Sequence, residues 1–471
     1  MKHLFTPLLA AMILAGCSNV PELKSPALDV PAAFKESSAP VLAADGTRWQ
    51  VAQPAEAQPR GRWWLAFGDD ALTALIDEAT AANASLQVAA ARVKQARAIT
   101  GSAEADRIPQ VDAGIGAQRA RPSTLALGLP EGSDVARAST YSARLTASYE
   151  VDLFGRVGAS VEAARADAAA SEATFRSVLL SLQADVAQTY YRLRAIDAEL
   201  ATLRRTVELR EQSVKISQSR FDNGDIGEFD LARARTELAT ARAEAIGTER
   251  QRTQNEHALA VLLGKPAAAF TAEAKPLLDA PLPAVPAGLP SHLLERRPDI
   301  TAAQRAMEAA NARIGAARSA MFPALTLSGG LGTETGSTGN LFAWSARSWV
   351  LGALLSMPVI DGGRHRANVQ RSEAALEESV AAYRQNVLTA FAEVEDNLAG
   401  LRILSGQRSE IDAALVAARR SADLAQKLYD AGRSSYLELL DAQRNRGGPW
   451  TKVAAGHLDL CAAPIPVREQ P

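Results

Sequence analysis

One displacement of the chain on itself constrains everything else. The shift that carries Gly155-Arg156 onto Gly363-Arg364 also carries Phe221-Asp-Asn-Gly224 onto Tyr429-Asp-Ala-Gly432. Val161, Ala166, Leu180, Leu193, Arg194, Ser213, Gln218 and Ala234 then meet identical residues at 369, 374, 388, 401, 402, 421, 426 and 442. No gap is needed from 155 to about 235. An internal repeat of this length is read before any local signal, because whatever fold the chain adopts must be built from two copies of one unit.

The copied unit is dominated by one long amphipathic stretch. Residues 159–223 contain neither Gly nor Pro. Leu179, Val186, Leu193, Leu200, Val207, Val214 and Phe221 recur at every seventh position, with a weaker stripe at Leu182, Thr189, Ile196 and Leu203. This heptad pattern, sustained over roughly six repeats, reads as a very long helix in a supercoiled bundle. At about 1.5 Å per residue it is roughly 100 Å long, more than one globular core can cover.

The N-terminus carries an address. Met1-Lys-His opens a short apolar segment, Leu4 to Leu14, which Leu14-Ala-Gly-Cys17 closes. The segment is too short to span a bilayer and reads as a secretory signal. Small residues before a Cys match a bacterial lipobox, so Cys17 is the expected lipid attachment and the new N-terminus. Ser18, rather than Asp, follows it, which favours the outer over the inner membrane. An anchor of two or three acyl chains holds firmly, at about 0.8 kcal/mol per buried methylene. No long apolar span follows residue 16, which excludes a bundle of membrane helices. The two cysteines, Cys17 and Cys461, make no disulfide framework, and the histidines have no metal-ligand spacing. Mixed charges and a formal net charge of -2 give no nucleic-acid footprint.

Residues 18–60, rich in Pro, Ala and polar residues, read as an extended tether. Trp63, Trp64 and Phe67 precede a helix expected over about 69–105, which Pro109 ends. From 110 the period changes to two. Val111, Ala113, Ile115 and Ala117 alternate with polar neighbours. After a Pro/Gly-rich loop at 122–137, Tyr141, Ala143, Leu145, Ala147, Tyr149, Val151 and Leu153 alternate with Ser142, Arg144, Thr146, Ser148, Glu150 and Asp152. Such a strand either lays its apolar face on a soluble core or faces lipid with a wet lumen behind it. The length and the terminal tyrosines suit the second. The second copy repeats the order, with Trp349, Leu351, Ala353, Leu355, Met357 and Val359 sharing a face.

The expected organisation is a signal peptide (1–16) and a lipidated extended tether (17–60), followed by a first repeat (61–265). That repeat holds a helix, a strand pair over 110–153 and a long hairpin over 156–263. A linker (266–290) leads to a second repeat (291–444) with a helix, a strand pair over 323–359, a long helix over 363–431 and the start of a return helix. Residues 445–471 should mirror the helical 237–263 but read Gly447-Gly-Pro449 and then a Pro-rich end with no heptad. A shifted reading frame would produce such a change. A chain lacking that return helix is expected to assemble poorly. Four strands cannot close a barrel, and open edges are not tolerated in lipid, so several chains must share one barrel. Three chains give twelve strands, an even number within the known range.

Several blocks together resemble a known family. Tyr149-Glu-Val-Asp-Leu-Phe-Gly-Arg156, Arg296-Arg-Pro-Asp-Ile300, Ala309-Ala-Asn-Ala-Arg-Ile-Gly-Ala-Ala-Arg318, Phe322-Pro323, Pro358-Val-Ile-Asp-Gly-Gly-Arg364 and Tyr436-Leu-Glu-Leu-Leu-Asp-Ala-Gln443 are similar to blocks of the outer-membrane factors of tripartite efflux pumps, in the lipoprotein (NodT-like) branch of the TolC-like fold. The resemblance covers about 15–444. It implies an α+β, mostly helical fold, in which a homotrimer forms a 12-stranded β-barrel on a periplasmic α-helical barrel. It also implies a periplasmic adaptor (membrane fusion protein) and an inner-membrane pump of the resistance-nodulation-division type as partners, with no cofactor.

The resemblance further implies a gate at the closed end of the helical barrel. Glu438 and Asp441, three apart on one helix face, match its carboxylates. Three copies would form two acidic rings that repel one another and select cations. A solvated helix face is the alternative reading of the same pair. Tyr429 and Asp230 match a link between the two hairpins. The gate arginine of the family falls on Ser434 here, with Arg433 adjacent. Gly224 and Gly432 permit tight turns at the hairpin tips, which in the family meet the adaptor.

No catalytic constellation appears. Gly264-Lys-Pro266 lacks the upstream Gly and the following Ser/Thr of a phosphate loop. A non-transporting trimeric stalk or adhesin would explain the heptads, but not two hairpins that each follow a strand pair. Drug efflux, metal efflux and protein secretion all remain open to such a duct.

Overall fold

A computed structural model describes residues 19–23, 26, 35, 61–130, 132–275, 297–431 and 433–446. The signal sequence, Cys17, Gly432, most of the 17–60 tether, the 276–296 stretch and the tail from 447 lie outside the described residues. In chain order the elements are α1 (Asp70–Ala82), α2 (Ala84–Ala105), β1 (Gln110–Ala120), β2 (Ala138–Val151), α3 (Arg156–Asp222), α4 (Glu228–Leu262), α5 (Pro298–Ser319), β3 (Ala324–Thr335), β4 (Arg347–Ser356), α6 (Arg364–Asp430) and α7 (Tyr436–Arg446). The long helices α3 and α6 each have 67 residues.

The helix expected over 69–105 is in fact two helices. Asn83 is extended (φ -64, ψ 125) and ends α1. Its Oδ1 accepts from the N–H of Leu86 at 3.0 Å, and its Nδ2 donates to the Leu262 carbonyl at 2.9 Å. An Asn that caps the next helix while gripping a third explains a break that apolar periodicity does not show.

Two compact units divide the chain, and both draw on both sequence repeats. The first comprises Met1–Ala27, Arg92–Glu172 and Ala302–Gln385 and contains the sheet. All four strands are antiparallel, in the order β1-β2-β3-β4. The two strand pairs of the repeats are thus joined through β2 and β3. In the same unit Ala159, Ala163, Ala309 and Ala310 are buried as small residues between helices, with Val161 and Ile314 buried among them. Phe154 and Phe322 stack at 4.9 Å where β2 gives way to α3 and α5 to β3.

Each strand-to-helix corner is capped by an Asp from one of the conspicuous motifs. Asp152 accepts from the N–H groups of Val157 (2.9 Å) and Gly158 (2.6 Å) at the start of α3. Asp361 accepts from Gly363 (2.9 Å) and His365 (2.8 Å) at the start of α6. A carboxylate at a helix N-terminus satisfies orphan donors and complements the macrodipole. The N–H groups of His365 and Gly363 hold the Asp361 carboxyl below its ordinary pKa.

The second unit comprises Leu28–Ala91, Ala173–Thr301 and Asn386–Pro471. Its core contains the α3 heptad stripe: Leu182, Val186, Leu193 and Leu200 are buried. Leu182, Val186 and Leu193 pack with Trp64, Leu72, Ile76, Tyr190, Tyr191, Leu259 and Leu263. Arg297 and Asp299 explain the Arg-Arg-Pro-Asp-Ile block. Pro298 occupies the first turn of α5, where a missing N–H costs nothing, and Ile300 is buried. Arg297 pairs with Asp299 at 2.7 Å and with Glu393 of α6 at 2.5 Å. Burial opposes its charge, but the two carboxylates outweigh that and raise its pKa.

Candidate functional site

The sheet is the first surface with a functional shape. Its register places Val111 opposite Ala147, Ala113 opposite Leu145 and Ile115 opposite Ala143. Leu145 then meets Leu331, and Tyr149 meets Leu327. Leu331 meets Trp349, and Leu325 meets Leu355. One apolar face therefore runs unbroken across four strands. It is not packed on a core: Ile115 is 88% exposed, and Trp349 and Leu351 are each 78% exposed. A soluble strand would bury that face. The other face of β1–β3 carries Asp112, Ser142, Arg144, Ser148, Glu150, Thr326 and Glu334, and Arg144 pairs with Glu334 across strands. Among the described residues no helix is long and apolar enough to cross a membrane. This sheet is the apolar surface of membrane-spanning scale.

The second surface is the pair of hairpin tips in the second unit. α3 ends in a tight reversal with Gly224 at φ 79, a conformation that a side chain disfavours. The N–H of Asp225 returns to the Arg220 carbonyl at 2.8 Å. At the end of α6 the N–H of Arg433 returns to the Leu428 carbonyl at 2.9 Å, the repeat-related bond. Both tips thus close with the same six-residue hydrogen bond. Asp230, half-buried, sits in the first turn of α4, and the Arg433 side chain is exposed.

Glu438 and Asp441 are both exposed on α7, while Leu439 and Ala442 turn inward and are buried. Gln443 donates to Gln426 of α6 at 3.3 Å and accepts from the buried Arg210 of α3 at 3.4 Å. Glu438 also has a local task. Its carboxylate accepts from the Ser435 N–H at 3.1 Å, while its own N–H donates to Ser435 Oγ at 3.3 Å. This reciprocal capping box was readable as Ser-x-x-Glu and was missed.

The two hairpins are joined by a contact that resemblance did not supply. Arg220, at the end of α3, donates to the Tyr429 hydroxyl at the end of α6. Its guanidinium also lies 4.7 Å from the centre of the Tyr429 ring. Arg220 was detectable as an asymmetry, because its partner position in the repeat is Leu428. Among the described residues, no group of three or more His, Cys, Asp or Glu side chains is placed to hold a metal ion.

Comparison with known proteins accords with this geometry. The family model for outer membrane efflux proteins matches residues 75–265 and 289–446. The solvent efflux pump outer membrane protein SrpC of Pseudomonas putida is 34% identical over 460 residues, which is 98% of this chain and 96% of that protein. The cation efflux system protein CusC of Escherichia coli O6:H1 is 33% identical, over 93% of this chain and 92% of that protein. A solved membrane protein from Pseudomonas aeruginosa superposes with a TM-score of 0.83 at 32% identity, covering 96% of this chain and 99% of that one. With sheet, paired long helices and tips all accounted for, the chain belongs to the outer membrane efflux protein family.

Proposed function

We propose that this chain is one of three identical subunits of an outer-membrane efflux duct with the TolC-like fold, which passes small molecules from periplasm to exterior. The observation that carries this reading is the sheet. Its apolar face is continuous and exposed, and its outermost strands β1 and β4 each pair with one neighbour within the chain. In lipid, unpaired strand edges are untenable, and three copies close a barrel of twelve strands. Lipidation of Cys17 would add an anchor in the same membrane.

The helices then form the periplasmic part of the duct, and the tips at Gly224 and Gly432 face a periplasmic adaptor coupled to an inner-membrane pump of the resistance-nodulation-division class. Glu438 and Asp441 lie on the exposed face of α7, which supports their role as acidic rings around the axis. Relatives of nearly equal identity carry the names of solvent and cation systems. The cargo is therefore assigned to the pump, and this chain is the conduit.

Purified protein in detergent is expected to contain trimers, at a yield lowered by the atypical residues 445–471, and those trimers are expected to conduct ions in planar bilayers. In a strain lacking its own outer-membrane factor, co-expression with the matching adaptor and pump is expected to restore resistance to the exported compounds. A monomer without conductance would refute the duct. A trimer without conductance would instead indicate a stalk.

A further inference from the structure

Three residues of the N-terminal strap lie on three successive turns of one α5 face. Asn19 Nδ2 donates to Ser319 Oγ at 3.3 Å and to the Phe154 carbonyl at 3.1 Å. Ser319 Oγ itself donates to that carbonyl at 2.7 Å. Val20 covers Gly315 so closely that a Cβ there would come 2.6 Å from Val20 Cγ2 and 2.9 Å from Val20 Cα. Asn311 Nδ2 donates to the Pro21 carbonyl at 2.7 Å. Residues 311, 315 and 319 are spaced by four and therefore share a helix face. The strap runs antiparallel to the helix, with 19, 20 and 21 meeting 319, 315 and 311.

The seat is built for an occupant. Asn311 is 6% exposed and Ser319 is 4% exposed. A buried amide without a partner is costly, and the partner given to Asn311 is the strap backbone. The hollow above Gly315 is filled by Val20 and has no room for both Val20 and a side chain. The seat is also at one end of the sheet. Phe154 follows the last residue of β2 by three, and Ser319 precedes the first residue of β3 by five. The clip therefore ties the first repeat to the second at the strand ends.

We propose that Asn311, Gly315 and Ser319 form a docking seat for residues 19–21, and that this seat fixes the N-terminal lipid anchor at the foot of the membrane strands. Cys17 is two residues before Asn19, so chain geometry confines it to within about 7 Å of that clip. Anchor and strands are thereby registered to the same leaflet. The proposal rests on the lipidation of Cys17, and its test separates the two.

The test uses the full chain with Cys461→Ser and the pair Asn19→Cys and Ser319→Cys, expressed with its lipidation signal intact. Mild oxidation is expected to give an internal disulfide in high yield, read by mass spectrometry of a tryptic digest. Gly315→Leu is then added. A Leu raises intrinsic helix propensity, so the variant does not fail through α5 itself. It places a side chain where Val20 sits and is expected to lower the disulfide yield at least fivefold, the shift roughly equivalent to one ordinary hydrogen bond. Asn311→Leu, tested separately, is expected to lower it by a similar factor. In the native-cysteine background, Gly315→Leu is expected to keep normal incorporation of labelled palmitate while yielding several-fold fewer oligomers inserted in the outer membrane. Absence of the disulfide in the unsubstituted pair would overturn the seat. A yield unmoved by Gly315→Leu would overturn the fit at Gly315. Normal insertion of a released strap would overturn the registration role. Absence of palmitate label, with the disulfide intact, would overturn lipidation and leave the seat standing.

Discussion

Removing the carboxylate of Asp197 is expected to cost this chain about 3 kcal/mol and to release the segment that follows α4. The Asp197 side chain is 1% exposed. It accepts from Arg252 Nε at 2.7 Å, from Arg194 Nη1 at 3.2 Å and from the N–H of Lys275 at 3.0 Å. Arg194 reaches on to the Glu273 carbonyl at 2.5 Å, and Arg252 to the Ala272 carbonyl at 2.8 Å. The N–H of Ala272 donates to Glu256 at 2.6 Å. Residues 272–275 are thus laced to α3 and α4 through one buried carboxylate and two largely buried guanidinium groups. Burial works against the charge on Arg252, and Asp197 and Glu256 outweigh it, raising its pKa. Asp197→Ala leaves Arg194 with a carbonyl and the face of Tyr190, 4.9 Å away. Stripping one partner from a buried pair costs about 3–5 kcal/mol. Glu256, 3.5 Å from Arg252, remains and sets the lower end of that range. Asp197→Asn keeps an acceptor and loses the charge, so about half the cost is expected. The assay is thermal unfolding in detergent by circular dichroism, with hydrogen exchange at the Ala272 and Lys275 amides as the local readout. For a unit of this size about 3 kcal/mol corresponds to roughly 5 °C in Tm. An unshifted Tm together with unchanged exchange at the Ala272 and Lys275 amides would refute the reasoning.

Other perturbations separate the remaining claims. Arg220→Ala removes a charged hydrogen bond and a ring contact, together about 2–3 kcal/mol, and is expected to shift the closed-to-open ratio of the tips at least tenfold. Tyr429→Phe keeps the ring and is expected to do less; equal single-channel conductance in wild type and Arg220→Ala would count against a latch. Glu438→Gln preserves the capping box while removing charge, so Glu438→Gln with Asp441→Asn is expected to leave stability within about 0.5 kcal/mol and to reduce cation selectivity, measured as reversal potential in a salt gradient. Asp361 has a lowered pKa, so its contribution is complete above the unfolded value of about 3.9 and is lost as pH falls through the folded one. Acidification below about pH 4 is therefore expected to speed hydrogen exchange at the Gly363 and His365 amides. Asp361→Asn, which lacks the titrating carboxyl, should show no such acid-dependent change beyond the intrinsic exchange rate.

The heptads of α3 were legible because their partners lie in the same chain. Val186 and Leu193 are fully buried, as their spacing required. The equivalent positions of α6, Val394 and Leu401, are only half-buried, and other apolar residues of that helix stand in the open: Ile403 is 57% exposed and Val416 is 68% exposed. Periodicity announces a face without saying which molecule covers it. The strands and their shared apolar face were legible from strict alternation, whereas the pairing of β2 with β3 across the repeat boundary was not, because alternation carries no information about neighbours. At the tips, attention to identical positions in the two copies hid the informative ones. Arg220 faces Tyr429 where the other copy has Leu428, and Asp197 organises its network where the other copy has Ser405. A repeat shows the shared scaffold through its identities and local specialisation through its differences. The strap seat was hidden for another reason. Asn311, Gly315 and Ser319 look like ordinary small residues of an alanine-rich helix until Val20 is seen above them.

The outer strands of the sheet carry one last implication. Among the described residues, β1 and β4 each present a row of amide and carbonyl groups that no further strand answers. Hydrocarbon would penalise every such group, so a solitary copy has no stable way into the bilayer. In the proposed trimer, entry and subunit recruitment are therefore one thermodynamic event, and the membrane itself acts as proofreader, rejecting any ring that is not complete.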